Sequence, residues 1–262
     1  MTAAIQVVGI VAKLAELSFL LPGFKDSNQS RIAAALGVEI LSGALKPGAR
    51  MPTDAEMTKT FGVSRVVTRE VIKTLAAKGL VASKVKVGTI VREPANWNWL
   101  DSDVLSWRVA MGMDLSFLKH ISEVRRAVEP AAASLAALNG TRSDFARLRD
   151  AVGQMADSEA DARRFARADL GFHLAVTSAS RNPFFQSFAA LIETALLTVF
   201  AINAEGKPMS RSATTAKHAL IVDAIEARDA AAAAKAMLRT VDDGLSRALQ
   251  NSRTARVRTT TK

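Results

Sequence analysis

Residues Met51 to Leu80, MPTDAEMTKTFGVSRVVTREVIKTLAAKGL, restrict the fold more than any other stretch, because they specify two helices and the turn between them. Thr53, with Glu56 three residues on, forms a capping box in which hydroxyl and carboxylate each satisfy an orphan backbone donor. The short helix that follows turns Ala55, Met57 and Phe61 inward and stops at Gly62, which tolerates the left-handed conformation of a helix end. Ser64 caps a second helix, whose apolar positions Val67, Val71, Ile72, Leu75 and Ala76 recur at helical spacing. Its other side carries Arg65, Thr68, Arg69 and Lys73, and Arg65 and Arg69, four apart, share one face. A helix that presents Ser and Arg from its first turns suits a major groove. Arg can bond both acceptors of a guanine edge, and Lys or Ser can hold phosphates. The hairpin alone is equally an ordinary amphipathic pair with a solvated basic face.

The next stretch favours nucleic acid. Leu80 to Val91 contains two short β-branched runs around a Lys/Gly turn, the pattern of a two-stranded wing. Lys84 and Lys86 alternate to one side, where a wing could touch a DNA backbone or minor groove. Helix, helix-turn-helix and basic wing together make a winged helix. On these residues the sequence resembles the GntR family of bacterial transcription regulators. The matching positions are Leu45-Lys46-Pro47-Gly48, Met51-Pro52, Phe61 to Arg65, Thr68-Arg69-Glu70, Leu75, Lys78 to Val81 and Gly88-Thr89. The resemblance covers roughly residues 28 to 92 and implies DNA contacts from Ser64, Arg65, Thr68, Arg69, Lys73, Lys84, Lys86 and Gly88. Many family members carry Arg where this chain has Ala55, so one contact differs.

Charge is divided along the chain. The first 95 residues carry 13 Lys/Arg against seven Asp/Glu, residues 96–246 carry 17 against 18, and the last 16 carry five and none. An anionic polymer suits the basic half, and the neutral middle calls for a different partner. There is no cysteine, which excludes disulfides and thiolate metal sites and fits a reducing cytoplasm. The apolar run Ile5 to Leu21 is interrupted by Lys13 and Glu16. It is too short and too charged for a membrane span, and it lacks the flanks of a secretory signal. Residues 1–27 are expected to be an accessory extension, and no membrane partner is expected.

Ser30 to Ser42 carries an apolar stripe and is expected to be the first helix of the winged domain, which spans 28–93. Residues 94–102 are expected to be a linker whose Trp97 and Trp99 dock on a domain surface rather than stack on bases, since no cation accompanies them. From Asp103 the sequence reads as helix only, including Leu115–Leu138, Ala160–Ser180, Pro183–Ala204, Ser212–Ala227 and Ala230–Gln250. Six or seven amphipathic helices over about 150 residues predict an antiparallel bundle, 103–251, followed by a disordered basic tail, 252–262. The expected fold class is therefore mainly α, a winged helix-turn-helix with a small β wing plus an all-α bundle.

Asp169 and His173 lie one turn apart, and His218 lies on a later helix that could face them. A carboxylate and two imidazoles suit a divalent transition metal. The pair alone is better explained by a hydrogen bond on a helix surface. The helical half, roughly 103 to 250, resembles the FCD ligand-binding domain of the FadR subfamily. The matching stretches are Glu123 to Pro130, Asp169-x-x-x-His173, Ala179 to Pro183 and His218 to Asp229. The resemblance implies a divalent ion, zinc or similar, on Asp169, His173 and His218, with Thr240 standing where a fourth imidazole is expected. It also implies that Arg125 lines the effector cavity, where a guanidinium would pair with a carboxylate. The alternative for Arg125 is a surface pair with Glu129. The stretch Asn96 to Trp107 is most similar to sugar-acid-responsive members, such as galactonate regulators.

These readings predict a homodimeric, sequence-specific repressor of a carbohydrate-acid catabolism operon. A small carboxylate, such as a sugar acid, would release it from its double-stranded operator. The alternatives are a metal-dependent enzyme on a hydroxy acid fused to a winged helix, and a nucleoid-type binder without sequence preference. Against the first, no His-Glu-x-x-His pattern or further general acid or base is present at useful spacing. Against the second, a neutral bundle has no use in such a protein.

Overall fold

The computed structural model of the chain describes residues 27–112, 114–204 and 210–259, so nearly all of the expected extension 1–27 lies outside the described residues. The contacts divide the chain into two units after Gly112.

The first unit opens with α1, Asn28–Leu41, capped by the Ser27 hydroxyl, which accepts from the Ser30 amide. Helix α2, Asp54–Phe61, begins at the expected capping box: the Thr53 hydroxyl accepts from the Glu56 amide, and the Glu56 carboxylate accepts from the Thr53 amide at 2.7 Å. It ends at Gly62, whose φ of 66° puts it in the left-handed region. Helix α3, Arg65–Ala77, starts at Ser64, whose hydroxyl accepts from the Val67 amide. Strands β1, Val81–Lys84, and β2, Gly88–Val91, pair antiparallel from Val81↔Val91 to Lys84↔Gly88. Lys86 occupies the turn between them with φ 60°, so it tops the wing rather than alternating with Lys84 along a strand. The core of the unit joins Ile32, Leu36 and Ile40 of α1 to Met57, Val71 and Leu75, and to Leu80, Val81 and Val91.

The same core takes in Trp97, Val104 and Trp107. Trp97 is buried, with its indole N–H donating to the Arg92 carbonyl at 2.9 Å, and the Trp99 indole donates to the Pro94 carbonyl. Trp97 thus docks on the domain that precedes it, whereas Trp99 stays exposed and packs on Trp97. Helix α4, Ser102–Ala110, follows and sets Trp107 directly on α1. A Cβ added at Gly37 would lie 2.2 Å from the Trp107 ring, so the close approach requires glycine. Lys78, at the end of α3, is buried and pairs with Asp101 at 2.8 Å and Asp103 at 2.6 Å. The helical half therefore does not start at Asp103. Trp107 and the Lys78 pairs draw α4 into the first unit, ten residues beyond the expected boundary.

The second unit is all helix: α5, Leu115–Asn139; α6, Arg142–Ala156; α7, Ala162–Ala179; α8, Pro183–Gln186; α9, Ala189–Ala204; α10, Arg211–Glu226; and α11, Ala230–Thr259. A turn at Ser187-Phe188 splits the single helix expected over Pro183–Ala204. Helix α11 packs along α5 and α10, α6 lies against α7 and α10, and α7 also packs on α5. Small residues make this possible, because Ala132, Ala133, Ala136 and Ala137 of α5 are fully buried in the shared core. Helix α11 reaches Thr259, so residues 252–259, expected to lack structure, continue it; once a helix is nucleated, each further residue adds a hydrogen bond. Among the described residues no helix is long and apolar enough to cross a membrane.

One carboxylate in this unit is poorly solvated. Glu193 of α9 has Oε1 buried without a hydrogen-bond partner, and burial pushes its pKa from about 4.5 up to about 6. An acid raised in the folded state adds stability below its unfolded pKa and loses it as pH rises through the folded one. Glu193→Gln is therefore expected to raise stability near neutral pH by on the order of 1 kcal/mol after allowance for its partial exposure, and the melting temperature with it. The gain should vanish below about pH 4.5. Melts across that range check it, and a gain independent of pH would contradict it.

Candidate functional site

Of the residues expected to face DNA, Ser64, Arg65, Arg69 and Lys73 are exposed on one side of α2–α3, and Lys84, Lys86 and Gly88 are exposed on the wing. Thr68 is not among them. It lies three and seven residues before the core residues Val71 and Leu75, is 1% exposed, and donates its hydroxyl to Asp54 Oδ1 at 3.0 Å and to the Arg65 carbonyl at 2.9 Å. The helical period that puts Arg65 and Arg69 outside turns Thr68 inward. Asp54 also accepts from Arg69 Nε at 3.3 Å, so one carboxylate ties α2 to α3 and orients the exposed guanidinium. Reading helix and wing enclose a cleft of about 480 Å³, whose lining includes Arg50, Asp54, Arg69, Lys73 and Gly88. Neither Arg50 nor Asp54 stood out in the sequence, because each gains its place only when the β2 edge and α3 come together.

In the second unit, Asp169, His173 and His218 do converge. Helix α7 carries Asp169 and His173 on one face, and α10 brings His218 opposite. One ligand atom from each lies within 4.8 Å of the others. His218 Nε2 is 3.0 Å from Asp169 Oδ1 and 3.3 Å from His173 Nε2. The remaining ring nitrogens fix the tautomers. His218 Nδ1 sits 2.8 Å from the Thr214 carbonyl, and His173 Nδ1 sits against the Glu129 carboxylate. A carbonyl and a carboxylate only accept, so both Nδ1 atoms donate, and in its neutral form each ring turns an Nε2 lone pair inward. Asp169 Oδ1 adds a third electron-rich atom. It is buried and completes no well-formed hydrogen bond, although His218 Nε2 is close enough for an ion pair. With His218 in that form, two acceptors face each other without a proton between them. Three buried acceptors with no donor suit a cation, and the donor set of two imidazoles and a carboxylate suits a divalent transition metal. Phe172 stacks edge-on against both rings, with its centroid 4.7 Å from His218, and limits their rotation.

Thr240, expected at the fourth position, is buried, and its hydroxyl donates to the Ala236 carbonyl of its own helix at 3.1 Å, so it is neutral and already bonded. Arg125 is not a surface residue. It is 4% exposed and pairs through Nε and Nη2 with both oxygens of Glu129, itself 1% exposed. Burial raises the Glu129 pKa, and Arg125 and then His173 more than offset that, holding it at about 2. Burial also opposes the Asp169 charge, which the positive charge of Arg125 favours. Glu129 was legible in the sequence only as a pairing option for Arg125. Its contact with His173 crosses 44 positions of sequence and is set by how α5 and α7 pack.

A winged helix with an exposed basic reading face, followed by a helical bundle with a buried polar centre, defines a bacterial DNA-binding regulator with a second, sensory-type domain. Residues 28–91 match the model of the bacterial regulatory proteins, gntR family, and residues 120–243 match the FCD domain. The galactonate operon transcriptional repressor of Escherichia coli K12 is 36% identical over 208 residues, covering 79% of this chain and 91% of that protein. The HTH-type transcriptional regulator LutR of Bacillus subtilis 168 is 32% identical over 203 residues, covering 76% and 91%. The solved structure of E. coli McbR/YncC aligns over 87% of this chain and all of that one, with a TM-score of 0.52 at 18% identity, a likeness of fold. The chain belongs to the GntR family of transcription regulators, among the FadR-type members that carry an FCD domain. Both families, and these relatives, are regulators rather than enzymes.

Proposed function

We propose that this protein is a cytoplasmic, homodimeric repressor of a carbohydrate-acid catabolism operon, released from its operator by a small carboxylate. The observation that carries the reading is the buried set of His173 Nε2, His218 Nε2 and Asp169 Oδ1, with the Arg125–Glu129 pair of helix α5 set against His173. Asp169, His173 and His218 would hold a divalent ion such as zinc. The ion would supply positive charge and open coordination positions for oxygen ligands, and Thr240 leaves the fourth position to water or effector. Arg125 would take the carboxylate of an α-hydroxy acid. The similarity to a galactonate operon repressor supports a sugar acid as effector. Two winged helices of a dimer would read a near-palindrome in successive major grooves, and effector binding releases DNA only if it favours a dimer geometry that no longer matches the half-sites.

The test is a thermal-shift screen of aldonates and related hydroxy acids, with and without chelator. A ligand that binds only the native state raises the melting temperature with its concentration. A sugar acid should do so in the metal-loaded protein and lose most of the effect after chelation. If no hydroxy acid shifts the melt in either state, the effector class is wrong.

On the DNA side, Ser64, Arg65, Arg69, Lys73, Lys84, Lys86 and Gly88 would make the contacts, with Arg69 held by Asp54 for a base edge. Arg69→Ala is expected to weaken operator binding by about 1–3 kcal/mol and to relax preference at one position. Equal losses on operator and random DNA at fixed salt would make Arg69 a phosphate contact instead.

A further inference from the structure

We propose that Glu129 is a positioning residue that sets metal affinity, because its one carboxylate is shared between His173 and Arg125. The inference rests on the metal reading above and adds to it a residue outside the ligand set. Glu129 Oε2 accepts a hydrogen bond from His173 Nδ1–H, while Arg125 approaches Oε1 through Nε and Oε2 through Nη2 at 3.3 Å. The first contact favours a cation at Nε2. It fixes the tautomer that leaves the Nε2 lone pair free, and a carboxylate behind an imidazole makes that nitrogen a better ligand. The second contact opposes it. Arg125 draws on the same carboxylate, and its positive charge is close enough to act on Asp169 as well. All three groups are almost fully buried, so water does little to screen them.

Glu129 and Arg125 should therefore act on the metal with opposite signs. A ligand carboxylate that occupied Arg125 would neutralise its charge and leave Glu129 to His173, tightening the ion. By linkage the ion would tighten the ligand by the same factor. Arg125→Met imitates the neutralised arginine without requiring the ligand's identity.

The experiment is a titration of the full chain with Co(II), followed by visible absorption and by competition with a chromophoric chelator. Wild type, Glu129→Gln and Arg125→Met are compared, with circular dichroism melts as folding controls. Glu129→Gln keeps the shape and removes the charge, and it is expected to weaken cobalt by about 10–100-fold. Arg125→Met is expected to bind cobalt more tightly than wild type. If Glu129→Gln unfolds, the double variant Glu129→Gln/Arg125→Met, which removes both buried charges, should bind more weakly than Arg125→Met alone. Wild-type affinity in Glu129→Gln, weakened cobalt in Arg125→Met, or equal affinity in the double variant and Arg125→Met overturns the proposal and leaves the metal reading standing. A wild-type protein that takes up no cobalt overturns both.

Discussion

His173→Ala is expected to reduce metal affinity by more than the ~10–100-fold typical of losing a supporting contact, since it removes a ligand itself. Sugar-acid affinity should fall with it, while operator binding by the effector-free protein stays unchanged. His173 is 2% exposed on α7, its Nε2 faces His218 Nε2 at 3.3 Å, and its other nitrogen engages Glu129. Alanine deletes both contacts at once and leaves Asp169 and His218 as a two-point site. The reading helix α3 belongs to the other unit and has its own core, so DNA binding without effector should not feel the change. Calorimetric titration of an aldonate into wild type, His173→Ala and chelator-treated protein checks this. Equal binding in all three would mean that no metal takes part in recognition.

Trp107→Ala is expected to destabilise the DNA-binding unit by about 3–5 kcal/mol, the usual loss for a large buried ring. Trp107 is 3% exposed and lies in the closest approach between α1 and α4, over Gly37. It also offers its ring face to the Lys78 ammonium at 5.6 Å, while Lys78 pairs with Asp101 and Asp103. Removing the ring opens a void and strips a cation–π contact from a buried charge. Amide exchange should quicken in α1 and α3 and remain as in wild type in α5 to α7. Slow exchange in α1 would show that α4 is not part of that unit.

That second expectation marks where the sequence ran out. The capping box at Thr53 and Glu56, the turn at Gly62 and the cap at Ser64 depend on neighbours three or four residues away, so they could be read directly. Asp169 and His173 were legible for the same reason. Thr68 was misplaced because Ser, Arg and Thr near a helix start all look polar, and only the angular position relative to Val71 and Leu75 separates them. Helix α4 was assigned to the bundle because its nine residues follow a Pro- and Asn-containing stretch, which locally looks like a boundary. Its attachment depends on a glycine 70 positions earlier and on a lysine that reaches across from α3. Glu129 is the sharpest case. Its spacing to Arg125 was visible, but whether the pair faced solvent or His173 is a property of the packed helices alone.

The tryptophan cluster gives the molecule an optical asymmetry. All three indoles, Trp97, Trp99 and Trp107, lie in the DNA-binding unit, two of them with ring centroids 5.3 Å apart, and the chain has no tyrosine. Tryptophan emission therefore originates in that unit alone. The bundle fluoresces only weakly through phenylalanine, yet its long helices dominate the far-ultraviolet ellipticity. One unlabelled sample can report the melting of each half on a separate channel. An effector that binds the bundle and still changes the emission would be observed, without dye or mutation, in the act of reaching the DNA-binding half.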